Sequence, residues 1–103
     1  MLRRICLSLV IMVISVPLFA DGAALYKTKC LPCHGADGSG NTPVGKSLHV
    51  KALGSDDVQK LTDAELTKVI HDGKNKMPAF AGKLSDDELA EVVHFIRGFA
   101  PHK

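Results

Sequence analysis

Cys30, Cys33 and His34 stand together in the run Cys30-Leu31-Pro32-Cys33-His34, followed by Gly35. Two thiols three positions apart, with an imidazole directly after them, are suited to a short list of chemistries. They can add to the two vinyl groups of one haem while the imidazole faces its iron. They can cycle as a thioredoxin-like redox pair, which calls for a βαβ setting. They can contribute to a structural zinc site, which calls for four ligands. They can also close as a plain disulfide in an oxidising compartment.

The rest of the chain weighs these against each other. No βαβ pattern is visible and no second Cys/His cluster follows, so the redox pair and the zinc site lack their context. The first 20 residues read as an export signal. Arg3 and Arg4 form a basic start, Ile5 to Phe19 is apolar apart from Ser8 and Ser15, and Ala20 offers a small residue for cleavage. Leu18 departs from the small residue preferred there, and an uncleaved membrane anchor is the alternative. Cys6 lies inside this segment and is read as discarded with it.

Of the 103 residues, removal of 1–20 leaves 83, with 11 Lys+Arg against 11 Asp+Glu. The slight positive charge of the whole chain thus resides in the signal, and nucleic-acid binding through a general positive field loses its support. A chain of this length has a thin core and calls for a staple. A Cys30–Cys33 disulfide closes a tiny loop and constrains little of the unfolded chain. A covalently held haem supplies a large apolar surface for loops to pack on. Motif, export and thin core converge on haem, and a plain disulfide stays as the alternative.

A sixth ligand for the iron is sought next. Met77 is the single methionine after the signal, in Lys76-Met77-Pro78-Ala79-Phe80, 43 positions beyond His34. A thioether favours reduced iron, and Pro78 restricts the preceding residue to extended backbone. The competing reading is a gap-filling core methionine. His49, His71, His94 and His102 are rivals for the same place, His49 foremost because it lies in a loop.

These residues must be positioned by helices. Residues 22–30 form a short candidate. Gly35, Gly38, Gly40, Asn41, Pro43 and Gly45 mark a long loop. Thr62 with Glu65 and Ser85 with Glu88 have capping-box spacing. Leu66, Val69 and Ile70 make one apolar face, and Gly73 ends that helix with a left-handed residue. Leu89, Val92, Val93, Ile96 and Phe99 make a second stripe, ended by Pro101; His94 falls off it. No strand alternation is present, so the fold class is all-α.

Gly22, Tyr26, the Cys30–Gly35 run, Pro43, Met77-Pro78 and Phe95 together resemble the small class I, monohaem c-type cytochromes, over essentially all of 21–103. The resemblance implies a class I cytochrome c fold, with first and last helices crossing where Gly22 meets Phe95 or its neighbours. It implies one haem c held through Cys30 and Cys33, with its iron between His34 and Met77. It further implies that the Pro43 carbonyl accepts a hydrogen bond from the His34 ring. Val44, Leu48, Leu53, Leu61, Phe80 and Leu84 are candidates for the apolar crevice. The chain departs from some relatives in having no tryptophan.

Lys74, Lys76 and Lys83, with Lys46 possible beside them, could form a rim that docks a redox partner; the alternative is a solvated loop. The expected function is a soluble, monomeric electron carrier of the periplasm or an equivalent exported space. The mature form has no catalytic residues and no nucleic-acid or membrane partner. The alternative is a small haem enzyme or gas- or peroxide-binding protein with displaceable Met77. That alternative calls for a distal His or Arg. Arg97, the one arginine after the signal, is expected in solvent on the terminal helix.

Overall fold

The computed structural model describes residues 10–12 and 21–101. The expected export segment therefore lies outside the described residues apart from 10–12. Among the described residues no helix is long and apolar enough to cross a membrane.

The last long helix organises the fold. Ser85 caps it, its hydroxyl accepting from Glu88 N–H at 3.1 Å while the Glu88 carboxylate accepts from Ser85 N–H at 3.0 Å. Behind this capping box, Leu89, Val92, Val93 and Ile96 fall on one face and are 1–5% exposed. Each such side chain contributes about 1.5–3 kcal/mol on burial. Counting from the N-terminus, the regular elements are α1 (Gly22–Lys29), α2 (Leu31–His34), α3 (Pro43–Leu48), α4 (Asp56–Gln59), α5 (Asp63–Asp72) and α6 (Asp86–Arg97). The described residues contain no strand, and their one β-bridge joins Lys74 and Met77.

Helix α1 has eight residues, too few to persist alone in water. Asp21 caps it, accepting from Ala23 N–H at 3.0 Å. Its buried residues, Gly22 and Tyr26, lie one turn apart on the side that meets α6. The two helices cross as expected, and Gly22 sets how close they come. A Cβ there would collide with the Glu91 carbonyl oxygen and sit 3.3 Å from Phe95 Cβ. Tyr26, Phe95 and Phe99 seal the crossing, with ring centroids 5.0–5.3 Å apart.

Helix α5 packs on the same partner. Thr62 and Glu65 complete a second capping box, and Leu66 and Ile70 are buried. Gly73 ends the helix at φ 77°, ψ 166°. This is not the left-handed helical conformation expected, but an extended one with positive φ that is essentially glycine's alone.

Two further differences from the sequence reading have physical causes. Helices α2, α3 and α4 have four, six and four residues, too short to display a 3.6-residue period. Helix α3 had a local signal in Thr42-Pro43, an N-cap followed by proline at the first helical position. Helix α6 ends at Arg97, ahead of Pro101. Gly98, Phe99 and Ala100 donate to carbonyls three residues back, so the chain tightens before the proline is reached.

Candidate functional site

The helices leave between them a cavity of about 800 Å³, within the range of small-molecule and cofactor sites. Cys30, Cys33 and His34 line one part, Met77 and Pro78 another, and apolar side chains such as Leu53, Leu61, Leu66, Ile70 and Ile96 much of the rest. The sequence motif and the candidate distal residue thus meet in one space, although 43 positions separate His34 from Met77.

The motif is held by backbone bonding in a single short turn. Cys30 N–H donates to Tyr26 O at 2.8 Å, and His34 N–H donates to Cys30 O at 2.9 Å. Two bonds fix this turn from outside. Tyr26 Oη donates to Gly35 O at 2.5 Å. Thr42 Oγ1 donates to Pro32 O at 2.9 Å and accepts from Gly45 N–H at 2.9 Å, so the α3 cap also clasps α2. Gly45 must be glycine here, because a Cβ would strike the Cys33 and Gly40 carbonyls. Burial pushes the Tyr26 phenol up to about 12.

No disulfide joins Cys30, which is buried, to Cys33, which is half-buried. Burial, with a lesser contribution from the neighbouring Cys33, raises the Cys30 thiol to about 11. Burial also lowers the His34 pKa, favouring the neutral imidazole that a metal requires. His34 Nδ1 is buried without a hydrogen-bond partner. The Pro43 carbonyl therefore does not accept from it here; Pro43 instead opens α3, held to α2 through Thr42. A pair of unlinked thiols, a neutral imidazole and an apolar cavity fit a covalently attached haem.

Met77 is half-buried and packs against the hydrophobic core. Its loop is rigidly cast. Lys74 and Met77 exchange backbone hydrogen bonds at 2.9 and 3.2 Å, around Asn75 at φ 53°. Phe80 and Ala81 N–H donate to the Ile70 and His71 carbonyls, each at 3.0 Å, tying the loop to the end of α5.

Of the rival histidines, His49 also lines the cavity, though exposed and in the left-handed conformation, φ 54°. His71 is exposed beside Asp72, with Nδ1 2.7 Å from a carboxylate oxygen. His94 is exposed, as read from its place off the apolar stripe. His102 lies outside the described residues.

Leu48, Leu53, Leu61 and Phe80 line the cavity as expected. Val44 does not and is 46% exposed; Leu84 is buried in the core, outside the lining. The sequence reading missed Tyr26, Val50, Val58, Leu66, Val69, Ile70 and Ile96 as lining residues. Amphipathic periodicity could mark the helical ones as buried, but not as facing the cavity.

The basic rim is also redrawn. Lys74 and Lys76 border the cavity, but Lys83 and Lys46 do not. Lys83 Nζ lies 5.9 Å from the Phe80 ring centroid. Lys29, Lys51 and Lys60 take their places at the border, Lys51 and Lys60 both 3.5 Å from the Asp57 carboxylate. Arg97 is not turned to solvent. It donates to Gln59 O at 2.9 Å, Leu61 O at 2.5 Å and the Asp63 carboxylate at 2.8 and 3.0 Å, and it does not line the cavity.

Crossed terminal helices, short turns wrapped about one cavity, and two thiols followed by an imidazole on its wall define an all-α protein built around a covalent haem. Comparison with known proteins agrees. The family model described as cytochrome c oxidase, cbb3-type, subunit III, matches residues 17–96. Cytochrome c6 of Parathermosynechococcus lividus is 37% identical over 78 residues, 75% of this chain and 85% of the relative. Cytochrome c6 of Leptolyngbya boryana is 36% identical over 80 residues, 75% and 87% of the two chains. Among solved structures, the KustC0563 c-type cytochrome superposes with a TM-score of 0.73 at 32% identity, covering 79% of this chain and 99% of that one. Cytochrome c6 of the diatom Phaeodactylum tricornutum has a TM-score of 0.56 at 32% identity, covering 77% and 90%. The chain belongs to the c-type cytochromes, as a small monohaem member of class I carrying covalently bound haem c.

Proposed function

We propose that this protein is a one-electron carrier of an exported compartment, with Cys30 and Cys33 holding the haem and His34 and Met77 as its axial ligands. The observation that carries the reading is the convergence of all four side chains on one cavity. When bound, the haem supplies an iron that changes oxidation state by one electron.

The residues around it have distinct work. Burial keeps the His34 imidazole neutral and available to a metal. The Lys74–Met77 bridge and the bonds from Phe80 and Ala81 hold the thioether loop in place. With His34 and Met77 both held by the fold, a bound haem would need little rearrangement on gaining or losing an electron. The apolar wall excludes water, which disfavours the more highly charged oxidised state and raises the potential.

Lys29, Lys74 and Lys76 border the cavity and support docking of an acidic redox partner at this face, in a rim displaced from the sequence-read set by the loss of Lys83. The peroxide- or gas-binding reading gains no support from Arg97, which is engaged behind the cavity wall. Residues 1–20 fit an export signal, which would place the mature chain, 21–103, where haem c is attached.

Visible absorption of the protein, produced with the cytochrome c maturation machinery, tests the reading. The expected result is a low-spin reduced spectrum, with the far-red methionine-to-iron band in the oxidised form. A high-spin spectrum with covalent haem would remove Met77 from the iron, and a low-spin spectrum without the band would bring His49 forward. Absence of haem would return Cys30 and Cys33 to disulfide chemistry.

A further inference from the structure

We propose that Arg97 is a positioning residue that holds the 53–61 wall of the haem cavity shut, and so helps set the reduction potential; this rests on the haem reading above. The wall in question runs from Leu53 through α4 to Leu61, and Leu53, Val58 and Leu61 turn side chains to the cavity. It has little regular structure of its own, since α4 is a single turn and Ser55 caps it without a side-chain bond. Ser55 Oγ is itself buried without a partner. Such a segment needs anchoring from elsewhere.

Arg97 and Gln59 supply the anchor. The guanidinium donates to Gln59 O at 2.9 Å and Leu61 O at 2.5 Å, the carbonyls on either side of cavity-lining Lys60. Gln59 Nε2 then donates to Leu53 O at 2.7 Å and Ile96 O at 3.1 Å. One cation at the end of α6 thus fixes both ends of the wall, directly and through one amide. Ile96, the residue before Arg97, lines the same cavity, so the wall is referenced to the longest helix among the described residues. The Arg97 side chain is 29% exposed and its Asp63 partner 76%, so the buried part of the fork faces the carbonyls. The planar fork reaches several acceptors at once in fixed directions, which an ammonium does not.

The test is Arg97→Lys in the holoprotein, which keeps the charge and removes the fork. The wall is expected to open more often, by about tenfold where one charge-assisted bond is lost. Imidazole added to the oxidised protein should bind about tenfold more tightly, because its entry needs that open state. The reduction potential should fall while the resting spectrum stays that of the parent. Asp63→Asn, which leaves the carbonyl bonds in place, should change neither quantity.

A lysine variant with lowered thermal stability, but with the parent's potential and imidazole affinity, would overturn the proposal. If that variant yields no holoprotein, Gln59→Ala decides: an unchanged potential and imidazole affinity overturn it, and a shift of both in the stated directions supports it. A parent protein without haem, or without methionine ligation, would instead count against the functional reading, and the parent spectrum distinguishes the two failures.

Discussion

Gly22→Ala should destabilise this protein although alanine is the better helix former. The added methyl would collide with the Glu91 carbonyl oxygen, lie 2.9 Å from the Glu91 carbonyl carbon and meet Phe95 Cβ at 3.3 Å. Two of these are backbone atoms inside α6, so no side-chain rotation relieves the contact and α1 must move bodily. Moving α1 displaces Tyr26 one turn on, which bonds Gly35 at 2.5 Å and packs at a tilt against Phe95, ring centroids 5.0 Å apart. Overpacking of this kind costs about 1–3 kcal/mol, and a rigid neighbour puts it at the upper end. Helix propensity returns at most about 1 kcal/mol. The net loss is about 2 kcal/mol, which for a domain of this size lowers Tm by about 8–16 °C. Urea unfolding of the holoprotein by far-ultraviolet circular dichroism measures it, with an unchanged slope showing that the loss is one of stability. Ala24→Gly, on the exposed face of α1, isolates the propensity contribution at about 1 kcal/mol or less. A Gly22→Ala protein as stable as the parent would refute the close-approach argument for this crossing.

Met77→Ala should retain covalent haem but open the sixth position and lower the potential, seen by absorption and redox titration. Tyr26→Phe removes a buried hydrogen bond and leaves the Gly35 carbonyl without that partner; a loss of about 1–3 kcal/mol in urea unfolding is expected. The same phenol makes stability pH-dependent, because burial raises it from 10.0 to about 12 in the folded state. Its contribution is complete below pH 10.0 and is lost between pH 10.0 and about 12, where the unfolded chain gives up the proton first; Tyr26→Phe should lack that part of the alkaline fall in urea midpoint. Ser85→Ala breaks the α6 capping box and should cost about 1 kcal/mol by the same assay.

What the sequence by itself determined is chiefly local. Cys30-Leu31-Pro32-Cys33-His34 announces its chemistry because thioether attachment constrains adjacent residues only. The caps at Thr62 and Ser85 were legible because a capping box is a bond between residues three apart. The crossing of α1 and α6 entered through resemblance alone; Glu91 and Phe95, which meet Gly22, lie off the apolar stripe that periodicity marks on α6.

The tertiary structure decided what depends on distant residues meeting. Arg97 read as a surface cation, since nothing near it in sequence accepts its bonds; its partners lie 34–38 positions back. The cavity border exchanged Lys83 and Lys46 for Lys29, Lys51 and Lys60, because loop direction, not loop membership, aims a side chain. Val44 and Leu84 are apolar like their neighbours, yet one faces solvent and the other the core beside the cavity. Apolarity records how favourable burial is, and it carries no direction.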